Sequence, residues 1–499
     1  MILSLLLATY LQDLTVIDVL AHARGAVGVT AAPTWKEASL TGKAVYNGVD
    51  CQYSMRFQPN GQFVENLRGD LMGGGGFDGK QSWLIDSSGM ARRTCGEDAA
   101  IEETIASFVT NRWLREGVLE KSFLISQKNG ETTLLVKNWE SKLFETVTID
   151  SQTWLPKKLS LDTHNGPVQI TLANWQSVGS EQIPFHAEIN DRGSISTLDV
   201  QQGSTSEVLN EGAYAMPTEM PDDWSYDSAI PAQIEAKTVR GHIFVHPLIN
   251  GKDVGWFILD TCAEIMMIDE HTADSIGLQK FGGAAISGVG GTIIEPFRRA
   301  SEMTLGPAKV RNIVFNQLDT TGFSKVFGIQ VAGIVGGDVL KRFVASVDVE
   351  KPAVALYDRR SYQLPTGSWL PLTFLDGNPA VEGTIEGDRR GLFHLDAGSD
   401  GSLVIHTPFV NALHLLDNRE TKAGATGGFG GQVSTQEGTL EWFTLGGHRF
   451  EQVRTTFSKA ETGSFANTDV MGNVGQLLMK PFTLIFDFGG YRVAFLPKG

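Results

Sequence analysis

The chain has 499 residues, of which 41% are hydrophobic and 20% are charged. This composition is typical of soluble globular proteins and excludes a disordered chain, and the length predicts about three domains. The 41 basic and 57 acidic side chains give a formal charge of −16, which argues against nucleic acid or an anionic membrane as partner, since both attract surfaces rich in Lys and Arg.

Residues 1–13 contain a short apolar run, Ile2 to Ala8, with no Lys or Arg before it. This run is either the core of an abbreviated export signal or the start of the helix that follows. An export signal would place the protein in the periplasm or outside the cell, and the alternative is the cytoplasm. No other apolar run approaches the roughly 18 residues that span a bilayer, so we expect that the chain is not an integral membrane protein.

Residues 14–203 combine two helical patterns with many alternating strands. Apolar residues recur at helical spacing in 14–27, and a second helix is predicted at about 97–118. Between about 36 and 202 the pattern is that of strands separated by Gly, Asn and Asp turns. We expect a curved antiparallel sheet packed around the helices.

Within this region the stretch "GFDGKQSWLIDSSG" at 76–89 resembles the half-barrel domain of bacterial proteins similar to lipoprotein carriers. The resemblance implies an α+β half-barrel whose concave face holds acyl chains, and hence a lipid or lipoprotein partner. The alternative is a structural or docking domain.

Residues 204–237 show no helical or strand periodicity of apolar residues, and they contain Pro217, Pro221 and Pro231 together with several acidic residues. This composition predicts an extended linker between domains.

The remainder of the chain is an internal repeat, 238–362 and 363–499. The first copy contains "GWFILDTCAEIMMID" and the second "GLFHLDAGSDGSLVIH", so that Asp260 and Asp396 are equivalent. Further on, Gly336 lies 76 residues after Asp260, and Gly472 lies 76 residues after Asp396. This shared register predicts two lobes of the same fold.

A glycine-rich stretch between these landmarks in each copy predicts a β-hairpin with a mobile tip. The first tip contains Gly288, Val289 and Gly290, and the second contains Gly427, Gly428 and Phe429.

The repeated motifs resemble retropepsin-like aspartic peptidases, in particular bacterial aspartyl proteases with two such units in one chain. The resemblance implies a mainly β, bilobal fold in which Asp260 and Asp396 are the catalytic pair of an aspartic endopeptidase. Two facing carboxylates share a proton, so one activates a water while the other donates to the scissile carbonyl. An extended peptide or protein substrate would lie beneath the hairpin tips as flaps, with no metal or cofactor. Both lobes lie in one chain, so we expect a monomer.

The same resemblance assigns supporting roles to the neighbours of the two aspartates. Thr261 would brace the two active-site loops, and Gly336 and Gly472 would support them. The loops themselves would comprise Thr261, Cys262 and Ala263 in the first copy, and Ala397, Gly398 and Ser399 in the second.

Two of these positions depart from the Asp-Thr/Ser-Gly pattern of the family. Cys262 stands where glycine is usual, and Ala397 stands where a threonine or serine supplies a hydroxyl. The alternative function is therefore a catalytically impaired, peptide-binding relative in the cell envelope.

Of the three cysteines, Cys51 and Cys95 either form a disulfide, as in an exported protein, or are two free thiols.

Overall fold

The structure, a computed structural model, describes residues 14–30, 33–139, 143–210 and 212–498. The two interpretations of residues 1–13, an export signal or a helix start, lie outside the described residues. Strands make up most of the described chain, and the prediction of a mainly β protein is confirmed. None of the helices in the described ranges is long and apolar enough to span a membrane.

The first unit is a single antiparallel sheet of thirteen strands, in the order β6-β5-β4-β3-β2-β1-β13-β12-β11-β10-β9-β8-β7. The strands are β1 Glu37–Tyr46, β2 Val49–Phe57, β3 Phe63–Gly69, β4 Met72–Phe77, β5 Ser82–Ile85, β6 Ala91–Thr94, β7 Leu119–Lys128, β8 Glu131–Asn138, β9 Phe144–Asp150, β10 Pro156–Thr163, β11 Gly166–Val178, β12 Glu181–Asp191 and β13 Ser194–Ser206. Each strand pairs with the next along the chain except β6 and β7, which lie at opposite edges of the sheet, while β1 pairs with β13.

Two helices pack on this sheet. Helix α1 (Val16–Val27) begins at a capping box formed by Thr15 and Asp18, and it ends at Gly28 in the left-handed conformation (φ 73°). Helix α2 (Gly96–Val109) is shorter than the predicted 97–118, because Asn111 is left-handed (φ 57°) and the chain continues as a 3₁₀ turn, Arg112–Leu114. Their buried apolar side chains fill the interior of the unit with those of the sheet: Val19, Leu20, Ala23, Val27, Phe108, Val109, Trp113 and Leu114.

The segment predicted as an extended linker is packed over much of its length. Tyr214 is buried against the first sheet, where its hydroxyl donates to Glu37 at 2.8 Å. Further on, β14 (Trp224–Tyr226) and β15 (Gln233–Ile234) each pair with strands of the first repeat. These strands satisfy their backbone groups by pairing with the first repeat, so the segment is packed where the composition predicted an extended linker.

The first repeat contributes strands β16 Ala236–Val239, β17 His242–Val245, β18 Leu248–Ile249, β19 Lys252–Asp253, β20 Trp256–Leu259, β21 Met266–Asp269, β22 Lys280–Gly288, β23 Gly291–Arg299, β24 Glu302–Leu305, β25 Ala308–Arg311, β26 Val314–Leu318, β27 Val331–Val335, β28 Phe343–Asp348 and β29 Ala353–Asp358. Its helices are α3 Glu270–Ser275, α4 Thr321–Phe327 and α5 Gly337–Leu340. An eight-stranded sheet, β16-β17-β20-β27-β21-β26-β23-β22, forms its centre, and β14-β25-β24-β18-β19 form a smaller sheet.

The second repeat contributes strands β30 Leu370–Pro371, β31 Thr373–Leu375, β32 Asn378–Ile385, β33 Arg389–Leu395, β34 Leu403–Ile405, β35 Lys422–Gly428, β36 Gly431–Leu445, β37 His448–Ser458, β38 Gly472–Val474, β39 Phe482–Asp487 and β40 Arg492–Pro497. Its helices are α6 Thr407–Ala412 and α7 Gln476–Met479, with 3₁₀ turns at Ser464–Ala466 and Phe488–Gly490. Its eight-stranded sheet, β31-β32-β33-β38-β34-β37-β36-β35, matches that of the first repeat element for element around the motifs.

The two repeats are joined by a six-stranded sheet, β15-β29-β28-β39-β40-β30. Its central pair, β28 and β39, comes from different repeats and places Ser346 opposite Ile485. One apolar core runs through both repeats, with members such as Phe257, Phe343, Phe393 and Phe486. This shared core fixes the two motif-bearing strands relative to each other.

Cys51 and Cys95 are free thiols in the structure. The thiol of Cys51 lies 3.6 Å from the carbonyl oxygen of Leu71, and that of Cys95 lies 3.1 Å from the carbonyl oxygen of Phe374. Each thiol thus has its own backbone acceptor, so of the two interpretations the structure has the free thiols.

Candidate active site

Asp260 and Asp396 occupy equivalent positions at the ends of two buried strands. Each strand runs parallel to a later strand of its own repeat, β20 beside β27 and β33 beside β38. The backbone N–H of Asp260 donates to the carbonyl oxygen of Val335 at 3.0 Å, and that of Asp396 donates to Val474 at 2.9 Å. The apolar residues before each aspartate bury the strand, so each aspartate lies at the end of a buried strand.

These two hydrogen bonds correct the register predicted for the supporting glycines. Because Val335 matches Val474, Gly336 corresponds to Gly475, and both residues immediately precede a short helix, α5 or α7. Gly472 instead corresponds to Gly333, which lies opposite Phe257 as Gly472 lies opposite Phe393. The second repeat therefore has additional residues between its aspartate and its supporting glycine, Gly475, and the equal spacing to Gly472 is coincidental.

Asp260 and Asp396 are half-buried, and their carboxyl groups interact. Burial, followed by the charge of Asp396, raises the pKa of Asp260 to about 7. Burial also raises the pKa of Asp396, while a hydrogen bond from Asn473 opposes that increase. Two interacting carboxylates do not both ionise easily, so each group disfavours the ionised form of the other.

Gly398 lies directly against the carboxyl group of Asp260. A Cβ atom at this position would lie 2.5 Å from Cγ and 2.6 Å from both carboxylate oxygens of Asp260. Any side chain would displace the carboxylate, so glycine is required here by close approach rather than by backbone conformation. The structure thus brings the loop after Asp396 onto the first aspartate.

Thr261 bridges the two active-site loops. Its hydroxyl donates to the carbonyl oxygen of Leu395 at 2.5 Å and accepts a hydrogen bond from the N–H of Ala397 at 2.8 Å. Ala397, the equivalent residue of the second repeat, has no hydroxyl group and cannot form the corresponding hydrogen bonds to the first loop. The side chain of Gln476 donates to the carbonyl of Ala397 at 2.5 Å instead, and its N–H donates to the carbonyl of Ser399 at 2.9 Å. The second loop is therefore braced from α7.

Cys262 is accommodated without backbone strain, because it is not among the residues with positive φ. Its N–H donates to Asp260 at 2.8 Å, and its thiol lies 3.5 Å from the carbonyl oxygen of Leu395. Burial, and then the two nearby carboxylates, raise the pKa of this thiol well above its usual value. The thiol is therefore kept neutral. The next residue, Ala263, accepts a hydrogen bond from the N–H of Gly337 at 2.8 Å.

The two predicted flap tips meet. The hairpin of β22 and β23 turns at Gly288–Gly291, and that of β35 and β36 turns at Gly428–Gly431. The N–H of Gly290 donates to the carbonyl of Phe429 at 3.0 Å, and Val289 lies against Gly428, with Gly427 beside it in β35. The ring of Phe429 packs on an apolar cluster that contains Ile258 and Ala263, which flank Asp260. The two hairpin tips thus contact each other and the apolar cluster beside Asp260.

The first sheet also contacts the candidate site, and no sequence motif predicted these contacts. Arg92 of β6 donates to Glu264, in the first active-site loop, at 2.8 Å. At the first flap, the hydroxyl of Thr292 donates to the carbonyl of Asn165 at 3.1 Å. Arg192 lies 3.3 Å from the hydroxyl of Ser287 in the same hairpin. The N-terminal unit therefore contacts both the loop and the flap of the first repeat.

Asn473 is a further polar residue that motif reasoning passed over. Its amide Nδ2 donates to Oδ2 of Asp396 at 3.0 Å. A signal was present in the sequence, since Asn473 interrupts an apolar segment whose counterpart in the first repeat is apolar. Among the described residues, no group of three or more His, Cys, Asp or Glu side chains is arranged to hold a metal ion.

The repeats match a sequence model of the aspartyl protease family. The matched residues are 245–339 and 381–479, which contain Asp260 and Asp396 respectively. The resemblance of the C-terminal half to aspartyl proteases is confirmed at this level. No curated protein matches the chain.

Solved structures are similar to separate parts of the chain. A LolA superfamily protein from Nitrosomonas europaea is 14% identical, with 40% of this chain and 98% of that chain covered and a TM-score of 0.29. A DUF1329 family protein from Desulfovibrio piger is 9% identical, with 40% and 95% covered and a TM-score of 0.29. Basic 7S globulin from soybean is 9% identical, with 56% and 96% covered and a TM-score of 0.34.

Proposed function

We propose that the protein is an aspartic endopeptidase in which Asp260 and Asp396 form the catalytic dyad. The observation that carries the proposal is the half-buried, interacting pair of carboxyl groups, with the pKa of Asp260 raised to about 7. A carboxyl group that stays protonated near neutral pH can donate to a carbonyl oxygen, while an ionised neighbour accepts a proton from water.

The proposed reaction begins with one proton on the dyad and a water between the carboxyl groups. The water oxygen bonds to the scissile carbonyl carbon as one water proton moves to the ionised carboxylate. The carbonyl oxygen takes the proton of the other carboxyl group, which gives a neutral gem-diol. On collapse, the newly protonated carboxyl group protonates the leaving nitrogen, the C–N bond breaks, and a diol proton returns to the other carboxylate. The dyad regains its single proton.

The substrate proposed is an extended peptide or protein segment bound between the flap tips and the dyad. Extended backbone can add hydrogen bonds to the strand edges of the two hairpins. Since the tips are held together by the bond between Gly290 and Phe429, they must separate to admit substrate. Their glycines, including Gly288 and Gly427, allow that motion at low cost. One chain carries both aspartates, so a monomer suffices for activity.

We further propose that residues 14–203 dock substrates or partners of the cell envelope, and that the protein acts in the periplasm or outside the cell. Support for docking comes from the contacts of Arg92 and Arg192 with the first active-site loop and flap. Lipid or lipoprotein binding by this unit stays a prediction. The side chains of α1 and α2 fill its interior, so an acyl chain would have to displace them.

The second candidate function is peptide binding without turnover. The observation that favours it is Ala397, which leaves Thr261 as the only hydroxyl bracing the two loops in the described structure. A looser second loop would hold Asp396 less accurately, and small displacements at a catalytic centre cost large factors in rate.

A peptide-library cleavage assay between about pH 4 and 7 separates these functions, because general acid–base catalysis by the two carboxyl groups depends on pH. We expect cleavage by the wild-type chain and loss of cleavage in Asp260→Asn and Asp396→Asn. The matched control is Asp388→Asn, an exposed turn residue with φ 55° that asparagine suits. Cleavage that persists in both dyad variants contradicts the endopeptidase. Binding of library peptides with no cleavage in the wild type supports the second candidate.

A further inference from the structure

The two aspartates differ in one hydrogen bond. Asn473, in β38, lies one residue before Val474, whose carbonyl oxygen accepts from the N–H of Asp396. Its side chain turns back to the same aspartate, and Nδ2 donates to Oδ2 of Asp396 at 3.0 Å. The residue is 8% exposed. Asp396 therefore receives a side-chain donor in addition to the backbone N–H groups of Gly398 and Ser399.

The equivalent position in the first repeat is occupied by Ile334. Ile334 lies one residue before Val335, whose carbonyl accepts from Asp260, and it faces Ile258 across the strand pair as Asn473 faces His394. Isoleucine donates nothing. Within the described chain, the donors to Asp260 are the backbone N–H groups of Cys262 and Ala263. The pseudo-symmetry of the two repeats is thus broken at this pair of positions.

The orientation of the Asn473 amide is set by His406. Nε2 of His406 lies 2.8 Å from Oδ1 of Asn473, and the histidine is fully buried. Burial lowers the pKa of His406 to about 3, so the ring is neutral and carries one N–H. Nδ1 has no hydrogen-bond partner among the described atoms, and a buried donor without a partner is costly.

The N–H of His406 is therefore on Nε2, where it donates to Oδ1 of Asn473. That bond leaves Nδ2 of Asn473 to face Asp396. The reversed amide would direct an oxygen at Asp396, which is favourable only when that carboxyl group is protonated. Amide orientation and the protonation of Asp396 are thereby coupled.

We propose that Asn473, held by His406, is a positioning residue that keeps the single proton of the dyad on Asp260 and leaves Asp396 as the base that accepts a proton from water. The inference rests on the proposed function. The ionised carboxylate is the one with the additional donor, because a hydrogen bond to a charged acceptor is stronger than one to a neutral acceptor. Asp260 then donates to the carbonyl oxygen of the substrate.

Other charges near the pair are few. The ionisable groups that face Asp396 are Asp260, Cys262 and His242. Those that face His406 are His394, and more distantly Asp376 and His164. His394 also has a side-chain hydrogen bond with Asn473, and burial lowers the pKa of this histidine, so it is neutral as well.

The first test compares Asn473→Ile with the wild type in the full chain. The substitution gives the second repeat the residue of the first. We expect kcat to fall by about tenfold to a hundredfold, the range that a hydrogen bond to a charged group supports. The acid limb of the pH profile should move to higher pH, while KM changes much less. If Asn473 were needed only for folding, its substitution would lower the fraction of active protein without moving the acid limb of the pH profile.

The paired variant Ile334→Asn with Asn473→Ile exchanges the donor between the repeats. We expect it to recover part of kcat, because either carboxyl group can serve as the base once the other holds the proton. Thermal unfolding identifies variants that fail to fold. His406→Phe, which retains a ring but cannot donate, should move the acid limb in the same direction as Asn473→Ile. An unchanged acid limb in both single variants overturns the inference.

A second measurement keeps this inference separate from the proposed function. In protein labelled with ¹³C at the carboxyl carbon of aspartate, both groups are titrated by NMR, with assignments from Asp260→Asn and Asp396→Asn. We expect Asp396 to account for most of the first ionisation, and Asn473→Ile to reduce or reverse that difference. If the wild type shows this titration but cleaves no peptide, the proposed endopeptidase function is contradicted, whereas the proposed difference between the two aspartates is supported. Ionisation of Asp260 first would overturn the asymmetry whatever the activity.

Discussion

The hydroxyl of Thr261 accepts a hydrogen bond from the backbone N–H of Ala397 at 2.8 Å, across the junction of the two repeats. The same hydroxyl donates to the residue before Asp396. One side chain of the first repeat thereby holds both ends of the loop that carries the second aspartate, and the second repeat returns no such bond.

Thr261→Val removes this brace with little change in volume. We expect the free energy of unfolding to fall by about 1–3 kcal/mol, since buried donor and acceptor groups lose their partner, and peptide cleavage to fall further than stability accounts for. Urea unfolding and cleavage rates measure the two effects. The control is Thr455→Val, a buried threonine whose hydroxyl donates only to Val453 at 2.9 Å. Equal losses of activity in both variants would contradict a bracing role.

Cys262→Gly restores the residue that the family pattern has at this position. Because Cys262 is unstrained, we expect the change to lower stability by about 1 kcal/mol through added chain flexibility and to preserve cleavage. Cys262→Ala, which removes only the thiol, is the matched comparison. A sharp loss of turnover in both variants would show that the contact between the thiol and Leu395 positions the loop.

The three thiols should react slowly in the folded protein. Burial raises the pKa of Cys51, Cys95 and Cys262, and the thiolate is the reactive form. A disulfide reagent at neutral pH should label them slowly in native protein and rapidly after denaturation. Release of only one thiol on denaturation would instead indicate a bond between Cys51 and Cys95.

Asp260 should make stability depend on pH. Its pKa is raised from 3.8 to about 7 on folding, so the native state binds more protons than the unfolded state between these values. The stability from this group is fully present below about pH 4 and is lost as pH rises through 7, by at most about 1.4 kcal/mol per pH unit.

Asp260→Asn removes this titration. We therefore expect the variant to gain stability relative to the wild type between pH 5 and pH 8, as measured by urea unfolding at both values. Asp388→Asn, an exposed turn residue, is the control and should show a constant difference. A constant difference for Asp260→Asn as well would contradict the raised pKa.

The contact between the first sheet and the first flap should limit flap opening. Thr292→Val removes the hydrogen bond from the hydroxyl of Thr292 to Asn165 and the bond of the same hydroxyl to Ser287 within the hairpin, so Ser287→Ala, which removes the second bond and leaves the first, is compared with it. We expect faster amide hydrogen exchange in 286–294, because exchange reports local opening, and little change in the second hairpin. The control is Thr426→Val in the second hairpin. Unchanged exchange in 286–294 would show that the contact does not restrain the flap.

His164 should join the first sheet to the second repeat in a pH-dependent manner. Burial alone would lower its pKa, but hydrogen bonds to Asp376 and Glu97 raise it to about 10. The resulting stability is fully present below the unfolded value of about 6.5 and is lost as pH rises through 10.

His164→Gln should therefore destabilise the chain most below pH 7 and least above pH 10, as measured by thermal unfolding. The exposed His414→Gln is the control. A loss that does not diminish at high pH would indicate that the histidine contributes by packing alone.

Several features could be predicted because they depend on neighbours along the chain. The end of α1 at Gly28, the two hairpin tips and the two aspartates all follow from residue type and local periodicity. The same reasoning extended α2 to 118, since a single left-handed residue, Asn111, ends the helical pattern earlier. It also took residues 204–237 for an extended linker, because β14 and β15 find their partners in distant strands.

The repeat and the equivalence of Asp260 and Asp396 can be read from the sequence alone, because repetition preserves residue identity at matched positions. The surroundings of that pair depend on tertiary packing. The match of Gly336 to Gly475, the hydrogen bond from Asn473 to Asp396 and the contact of Arg92 with Glu264 join residues far apart in the chain. Packing of one repeat on the other, and of the first sheet on both, brings them together, and no local pattern encodes those distances.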